Sequence, residues 1–329
     1  MKFSIVSAGL LAAFATAAPT PTSDEIVNRA AIAKRATVTD ACNIGYASTN
    51  GGTKGGAGGA TTTVSTYAQF TKAATAGNTV VVVSAPITQA AKQVKVASDT
   101  TIIGKDSKVV FTGFGLLVKE QSNVIIRNIA IKEVLAANGD ALGIQKSTNV
   151  WVDHVDLSSN RDHDKDYYDG LFDVTHASDY VTLSNSFIHD HWKASLVGHS
   201  DSNSAEDKGH LRITYANNYW KNVNSRGPSI RFGTAHIYNS YHDTVADGIN
   251  TRLGAQVLVE SNAWTGSKKP LYSTDAGYAV ANDNDFGSGS NEAEKGTLSA
   301  SKLGYKYTLL GSSKVKAAVV GTAGVTLSF

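Results

Sequence analysis

"NVIIRNIAI" (residues 123–131) has five later counterparts: "NVWVDHVDL" (149–157), "YVTLSNSFI" (180–188), "RITYANNYW" (212–220), "AHIYNSYH" (235–242) and "QVLVESNAW" (256–264). In each, an apolar residue is followed two places on by a second, and two further on by a small polar residue or a histidine. That last place is held by Asn128, His154, Asn185, Asn217, Asn239 and Ser261, at intervals of 26, 31, 32, 22 and 22 residues. Alternation with period two argues strands rather than helices. Its return every 22 to 32 residues in the same register argues a solenoid in which every turn repeats the one before. A coil of about 22 residues suits a parallel β-helix, where each short strand pairs with its counterpart one turn away. Asparagine at one register can stack from turn to turn and cap the backbone at a bend. The longer intervals then mark insertions, expected as loops on one face. A β-sandwich with irregular loops is the competing architecture, and it gives no reason for asparagine to recur at one position.

Outward from the repeat, the flanks read differently. Residues 63–87 begin with a short helical pattern, Tyr67, Phe70, Ala73 and Ala74, ended by Gly77-Asn78 and followed by the apolar strand 80–83. A helix there would shield the open apolar end of the solenoid. Residues 305–324 are expected to pack along its side. The first residues carry a leader pattern: a short basic start at Met1-Lys2-Phe3, an apolar run over 5–15, then Ala15-Thr16-Ala17. The run is too short to span a membrane, which takes about 20 residues. Lys34-Arg35 follows a polar spacer, as at a pro-peptide cleavage site. The expected organisation is therefore a signal peptide at 1–17, a pro-peptide at 18–35, and one all-β, single-stranded parallel β-helix domain at 36–329. Export from the cell is the expected destination.

Thirty Lys and Arg against 28 Asp and Glu leave the chain near neutrality, which argues against general nucleic-acid binding. No membrane association is expected either, and a monomer is. Cys42 is the single cysteine, so no disulfide can form within the chain. No Asn-X-Ser/Thr acceptor occurs.

Three acids fall in or beside the repeats: Asp140 in "NGDALGI", and Asp169 and Asp173 in "YDGLFD". Carboxylates gathered on one face repel unless a cation joins them, and calcium takes six to eight oxygens. "DHDKDYYDGLFD" (162–173) imitates an EF-hand loop through Asp162, Asp164 and Asp166, but Tyr167 stands where that turn requires glycine. His189 and His191 lack the HExxH spacing and any thiolate company, so hydrogen-bonded histidines are the better reading than zinc. Lys193, Arg226 and Arg231 supply the opposite charge from what read as comparable places in later coils. Arginine pairs carboxylates in bidentate fashion. Acids for a cation beside bases for carboxylates describe a cleft for a polymer that is acidic at regular intervals.

Three longer stretches, "NVWVDHVDLS" (149–158), "DGLFDVTHASDYVTLSNSFIHDHWKASLVGHSD" (169–201) and "RGPSIRFGTAHIYNSYH" (226–242), resemble the signature regions of the family 1 pectate lyases, in that family's order. The resemblance runs over about residues 63–264 and is closest to the small secreted fungal members. It implies a right-handed parallel β-helix of the pectin lyase type. It also implies calcium at Asp140, Asp169 and Asp173, a substrate-binding lysine at Lys193, a catalytic base at Arg226 and a substrate-carboxylate clamp at Arg231. A further acid that some members carry two residues before the first is Asn138 here. The implied substrate is polygalacturonate and the implied reaction β-elimination. Arginine normally keeps its proton; a setting crowded with cations favours the neutral form of a base, so an alkaline optimum is expected. Three alternatives remain in view. A pectin lyase would act on the neutral methyl ester and have no need of the acidic trio. A polygalacturonase would need paired acids for hydrolysis, and its Asn-Thr-Asp and Gly-His-Gly stretches are missing. The third is a pectin-binding β-helix without catalysis.

Overall fold

Val124 and Ile126 sit opposite Val150 and Val152, which in turn sit opposite Val181 and Leu183, on successive rungs of one parallel sheet. The pattern continues through Ile213 and Tyr215, Ala235 and Ile237, and Val257 and Val259. All of these residues belong to one buried cluster. The inward-facing half of the period-two alternation is thus what stacks the coils, because each apolar side chain rests on its equivalent one turn away.

The structure is a computed structural model, and it describes residues 36–329. The leader and pro-peptide expected over 1–35 lie outside the described residues. Ala36–Phe329 form one unit built on three parallel sheets of 11, 8 and 9 strands, which the chain visits in rotation. The first sheet holds the repeat strands, from Ala60–Val64 to Glu294–Lys295. The second includes Asp156–Ser158, Phe187–Lys193 and Tyr219–Ser225. The third includes Leu142–Gln145, Phe172–Thr175, Ser195–Val197, Ser229–Arg231 and Asp247–Arg252. Every strand pair within these sheets is parallel, for instance 148–153 with 122–127 on one side and 179–184 on the other. This is the parallel β-helix.

The recurring asparagine position is the corner between the first and second sheets. Asn128, His154, Asn185, Asn217, Asn239 and Ser261 all lie there in the left-handed region, with φ between 50° and 57°. Asparagine tolerates that conformation better than most residues, and its amide reaches the next turn. Asn239 Nδ2 donates to Asn217 Oδ1 (3.2 Å), and Asn217 Nδ2 donates to Asn185 Oδ1 (3.1 Å). A second polar row runs one residue further on, unmarked by the sequence pattern. The Asn218, Asn262 and Asn284 side-chain oxygens accept from the backbone N–H groups of Ser186, Ser240 and Asn262.

Both flanking expectations hold. The helix Tyr67–Ala74 starts at Thr66, whose side chain accepts from the Gln69 N–H. It lays Phe70 against Phe111, ring centroids 4.7 Å apart, over the apolar end of the coil. The C-terminal segment runs back along the first corner. Tyr307 donates to Glu260 (2.5 Å), the Leu310 N–H to Asn239 Oδ1, and the Leu327 N–H to Asn128 Oδ1. Among the described residues, no helix is long and apolar enough to cross a membrane. The insertions differ from expectation. Two lie between second-sheet and third-sheet strands (residues 133–141 and 159–171), the other between a third-sheet and a first-sheet strand (198–211). They therefore bracket the third sheet rather than crowd one loop face.

Candidate active site

The third sheet brings the acids together through its register. Gly143 and Leu196 are the neighbours of Asp173 on the coils to either side. The Ala141 N–H donates to the Gly170 carbonyl (2.9 Å), so the loops carrying Asp140 and Asp169 also run side by side. Two glycines make room for the carboxylates. A methyl group on Gly170 would lie 2.5 Å from Asp173 Oδ1, and one on Gly143 would lie 3.3 Å from Asp140 Oδ2. The Gly170 N–H donates to Asp140 Oδ1 (3.0 Å) and the Leu196 N–H to Asp173 Oδ1 (3.0 Å), which fixes both carboxylates in place.

Asp140, Asp169, Asp173, Lys193 and Arg226 line one cleft of about 300 Å³. Burial and the charge of Asp169 push the Asp140 carboxyl up to about 6. Burial and the charge of Asp140 raise Asp173 well above the usual carboxylate range. Desolvated carboxylates that oppose one another's ionisation are what a bound cation relieves. The donors are all hard oxygens, which fits calcium and not a softer metal. Among the described residues, no group of three or more His, Cys, Asp or Glu side chains converges closely enough to hold a metal ion. Asp169 is 44 % exposed and leans 3.7 Å from Lys193 Nζ. The three carboxylates line the cleft together without closing on one point. Asn138, in the place of a further acid, donates its amide to the Gly113 carbonyl (3.3 Å).

The cations fall into two situations. Lys193 ends the strand Phe187–Lys193 and pairs in register with Ser225, so Arg226 follows one place beyond on the next coil. Arg226 has φ 59°, precedes the cis Gly227–Pro228 bond, and enters the same cleft as the acids. Among the described residues it forms no ion pair, whereas Lys193 is held by Asp166 (2.9 Å) and Arg231 by Asp201 (2.5 Å). Arg231 departs from the expectation of a comparable place. It ends a third-sheet strand, opposite Arg252, and does not line the cleft shared by the other five.

Some residues at the site went unnoticed in the sequence. Gln145 and Thr175 stand two places beyond Gly143 and Asp173, so they face the same side and line the cleft. Period-two counting from Asp173 would have found Thr175. His176 and His199, stacked at 4.0 Å, form part of its wall, and His176 hydrogen-bonds Glu206. The motifs rejected on sequence dissolve here. Asp166 engages Lys165 and Lys193, and Asp164 Oδ1 accepts from the Asp166 N–H. His189 binds Asp190 and Asp156, while His191 binds Ser159, so the two histidines share no ligand site. Burial holds His191 down to about 4, leaving it neutral beside the cleft.

The family model for pectate lyases matches residues 6–328. The chain belongs to the pectate lyase family. A probable pectate lyase A of Aspergillus fumigatus is 67% identical, with 100% of both chains covered. Pectate lyase A of Aspergillus niger is 65% identical over 100% of this chain and 99% of the relative. Among solved structures, a pectate lyase of Bacillus sp. N165 in complex with trigalacturonate superposes with a TM-score of 0.76. It is 31% identical and covers 86% of this chain and 99% of its own. Family and fold therefore agree with the β-helix built from the repeat.

Proposed function

We propose that this member of the pectate lyase family cleaves polygalacturonate by calcium-dependent β-elimination, outside the cell. The observation that carries the reading is the pairing of opposites in one cleft: carboxylates pressed together until Asp140 reaches about 6, beside an arginine that forms no ion pair among the described residues. Asp140, Asp169 and Asp173 would hold the calcium, which, bound there, would draw charge from the uronate carboxylate and make the neighbouring C5 proton more acidic.

The rest falls to the chain's own side chains. Lys193 and Arg231 orient the substrate by its carboxylates, Arg231 through the flat fork that suits bidentate pairing. Arg226 takes the proton from C5. The electron pair left behind forms the C4–C5 double bond, and the C4–O bond breaks with its electrons going to the departing sugar oxygen, which then gains a proton from water. Arg226 suits the role because, among the described residues, no carboxylate forms an ion pair with its guanidinium; Lys193 and a cation on the trio would offset the charge of Asp140 and Asp173, which act on it through space. Neutralising the substrate's charge by methylation would leave the acidic trio without a function, so the unesterified polymer is the substrate.

The test is the ultraviolet absorbance of the 4,5-unsaturated product, followed on polygalacturonate with calcium and with excess chelator. Absorbance rising only with calcium is the expected result. A rise that persists in chelator, or appears only on methyl-esterified pectin, identifies a pectin lyase. Polymer binding without any rise identifies a non-catalytic binder.

A further inference from the structure

Lys193 and Arg231, the two cations assigned to substrate carboxylates, are each occupied by an aspartate from a neighbouring loop. Lys193 Nζ lies 2.9 Å from Asp166 Oδ1. Arg231 Nε lies 2.5 Å from Asp201 Oδ1, and its Nη1 donates to the Gly198 carbonyl (2.9 Å). The other oxygen of Asp201 receives Arg252 Nη2 (3.3 Å), so one carboxylate bridges two arginines that face each other on adjacent coils. The burial is lopsided in both pairs. The cations are 16 % and 13 % exposed, and the aspartates 62 % and 58 %. The cations are thus fixed by the sheets, while the acids stand mostly in water on two of the insertions that bracket the third sheet.

We propose that Asp166 and Asp201 are built-in stand-ins for uronate carboxylates, each holding a substrate-binding cation until a substrate carboxylate takes its place. The inference rests on the galacturonan reading above. A uronate and an aspartate present the same group to the same donors, so the exchange is one for one. An aspartate already more than half exposed returns to water at little cost. The pairs keep Lys193 and Arg231 extended before substrate arrives, and they set the affinity by the competition they offer. Arg226 has no such partner, as befits a group that must accept a proton and not a carboxylate.

The test uses Asp166→Asn and Asp201→Asn in the full chain, with calcium present. Each should lower KM for polygalacturonate about two- to fivefold, the size a solvent-exposed ion pair commands, while kcat stays within about twofold of the parent. Calorimetric titration with trigalacturonate should show the same gain in affinity, and Asp201→Glu, which keeps the charge, should return the parent value. Asp162→Asn, in the same insertion as Asp166 but in no ion pair among the described residues, separates pairing from the general field and should leave KM unchanged. KM unchanged or raised in the two variants, or lowered equally by Asp162→Asn, overturns the inference. An inactive parent would sink the lyase reading instead, and the calorimetric comparison would still decide the role of the two aspartates.

Discussion

Replacing Asp140 by asparagine should make the calcium-free protein more stable, and that expectation follows from the crowding of the acids. Burial and the charge of Asp169 raise the Asp140 carboxyl from 3.8 to about 6. A carboxyl whose folded pKa lies above its unfolded one favours the fold while it is protonated. That favour is present below about pH 4 and is lost as the pH rises through 6. By pH 8 the ionised group opposes folding by on the order of 3 kcal/mol. Asparagine cannot ionise, yet its Oδ1 can still accept the Gly170 N–H, so the loop keeps its anchor. In excess chelator at pH 8, Asp140→Asn should therefore melt above the parent by about 5 °C or more, with the gap closing toward pH 4. Calcium should reverse the order, because the parent gains a ligand set that the variant lacks. Thermal unfolding followed by circular dichroism, with chelator and with calcium across that pH range, measures both effects. A variant that melts at or below the parent in chelator at pH 8 would refute the crowding argument. Equal calcium-induced gains in the two proteins would refute the assignment of Asp140 as a ligand.

Arg226→Lys should lower kcat by about 10²–10⁴, the range for losing a general base, while trigalacturonate affinity measured by calorimetry stays near the parent value. Gly170→Ala should weaken calcium binding about tenfold or more, since the new methyl would lie 2.5 Å from Asp173 Oδ1 and push the carboxylate out of place; a calcium titration reads it directly. Calcium affinity itself should fall below about pH 6 as Asp140 takes up its proton, visible in the same titration repeated at lower pH. Asn262→Ala removes the acceptor for the Ser240 N–H and the donor to the Ile237 carbonyl, costing about 1–3 kcal/mol for each buried group left unpaired, measured by denaturant unfolding.

The solenoid was legible because one face of its first sheet obeys a simple rule. An apolar residue, in most rungs Val, Ile or Leu, falls every second residue, and a left-handed corner follows at Asn128, Asn185, Asn217 and Asn239. The acidic trio was legible from its spacing, Asp169 and Asp173 four apart in one stretch with Asp140 on the coil before, although Asp173 falls in register with Gly143 and not with Asp140. What the sequence hid depends on loops and on direction. Arg231 has the same charge and near-neighbour spacing as Arg226, but the turn between them moves it to another sheet, where its fork meets Asp201. Asp166 and Asp201 sit in insertions that have no repeat to compare them with, so their partners emerge only once the coils are stacked. The second polar row at Asn218, Asn262 and Asn284 was masked by serines at Ser186 and Ser240, which do the same work with a hydroxyl.

The central claim is that one cleft combines a calcium cradle of Asp140, Asp169 and Asp173 with Arg226 as the base. A crystal structure of the Arg226→Lys variant with calcium and trigalacturonate bound tests it most directly. Calcium should be bound by those three carboxylates and by a uronate carboxylate, with the residue at 226 facing C5 of that sugar. Calcium bound away from the three acids, or a sugar whose C5 faces some other side chain, would contradict it.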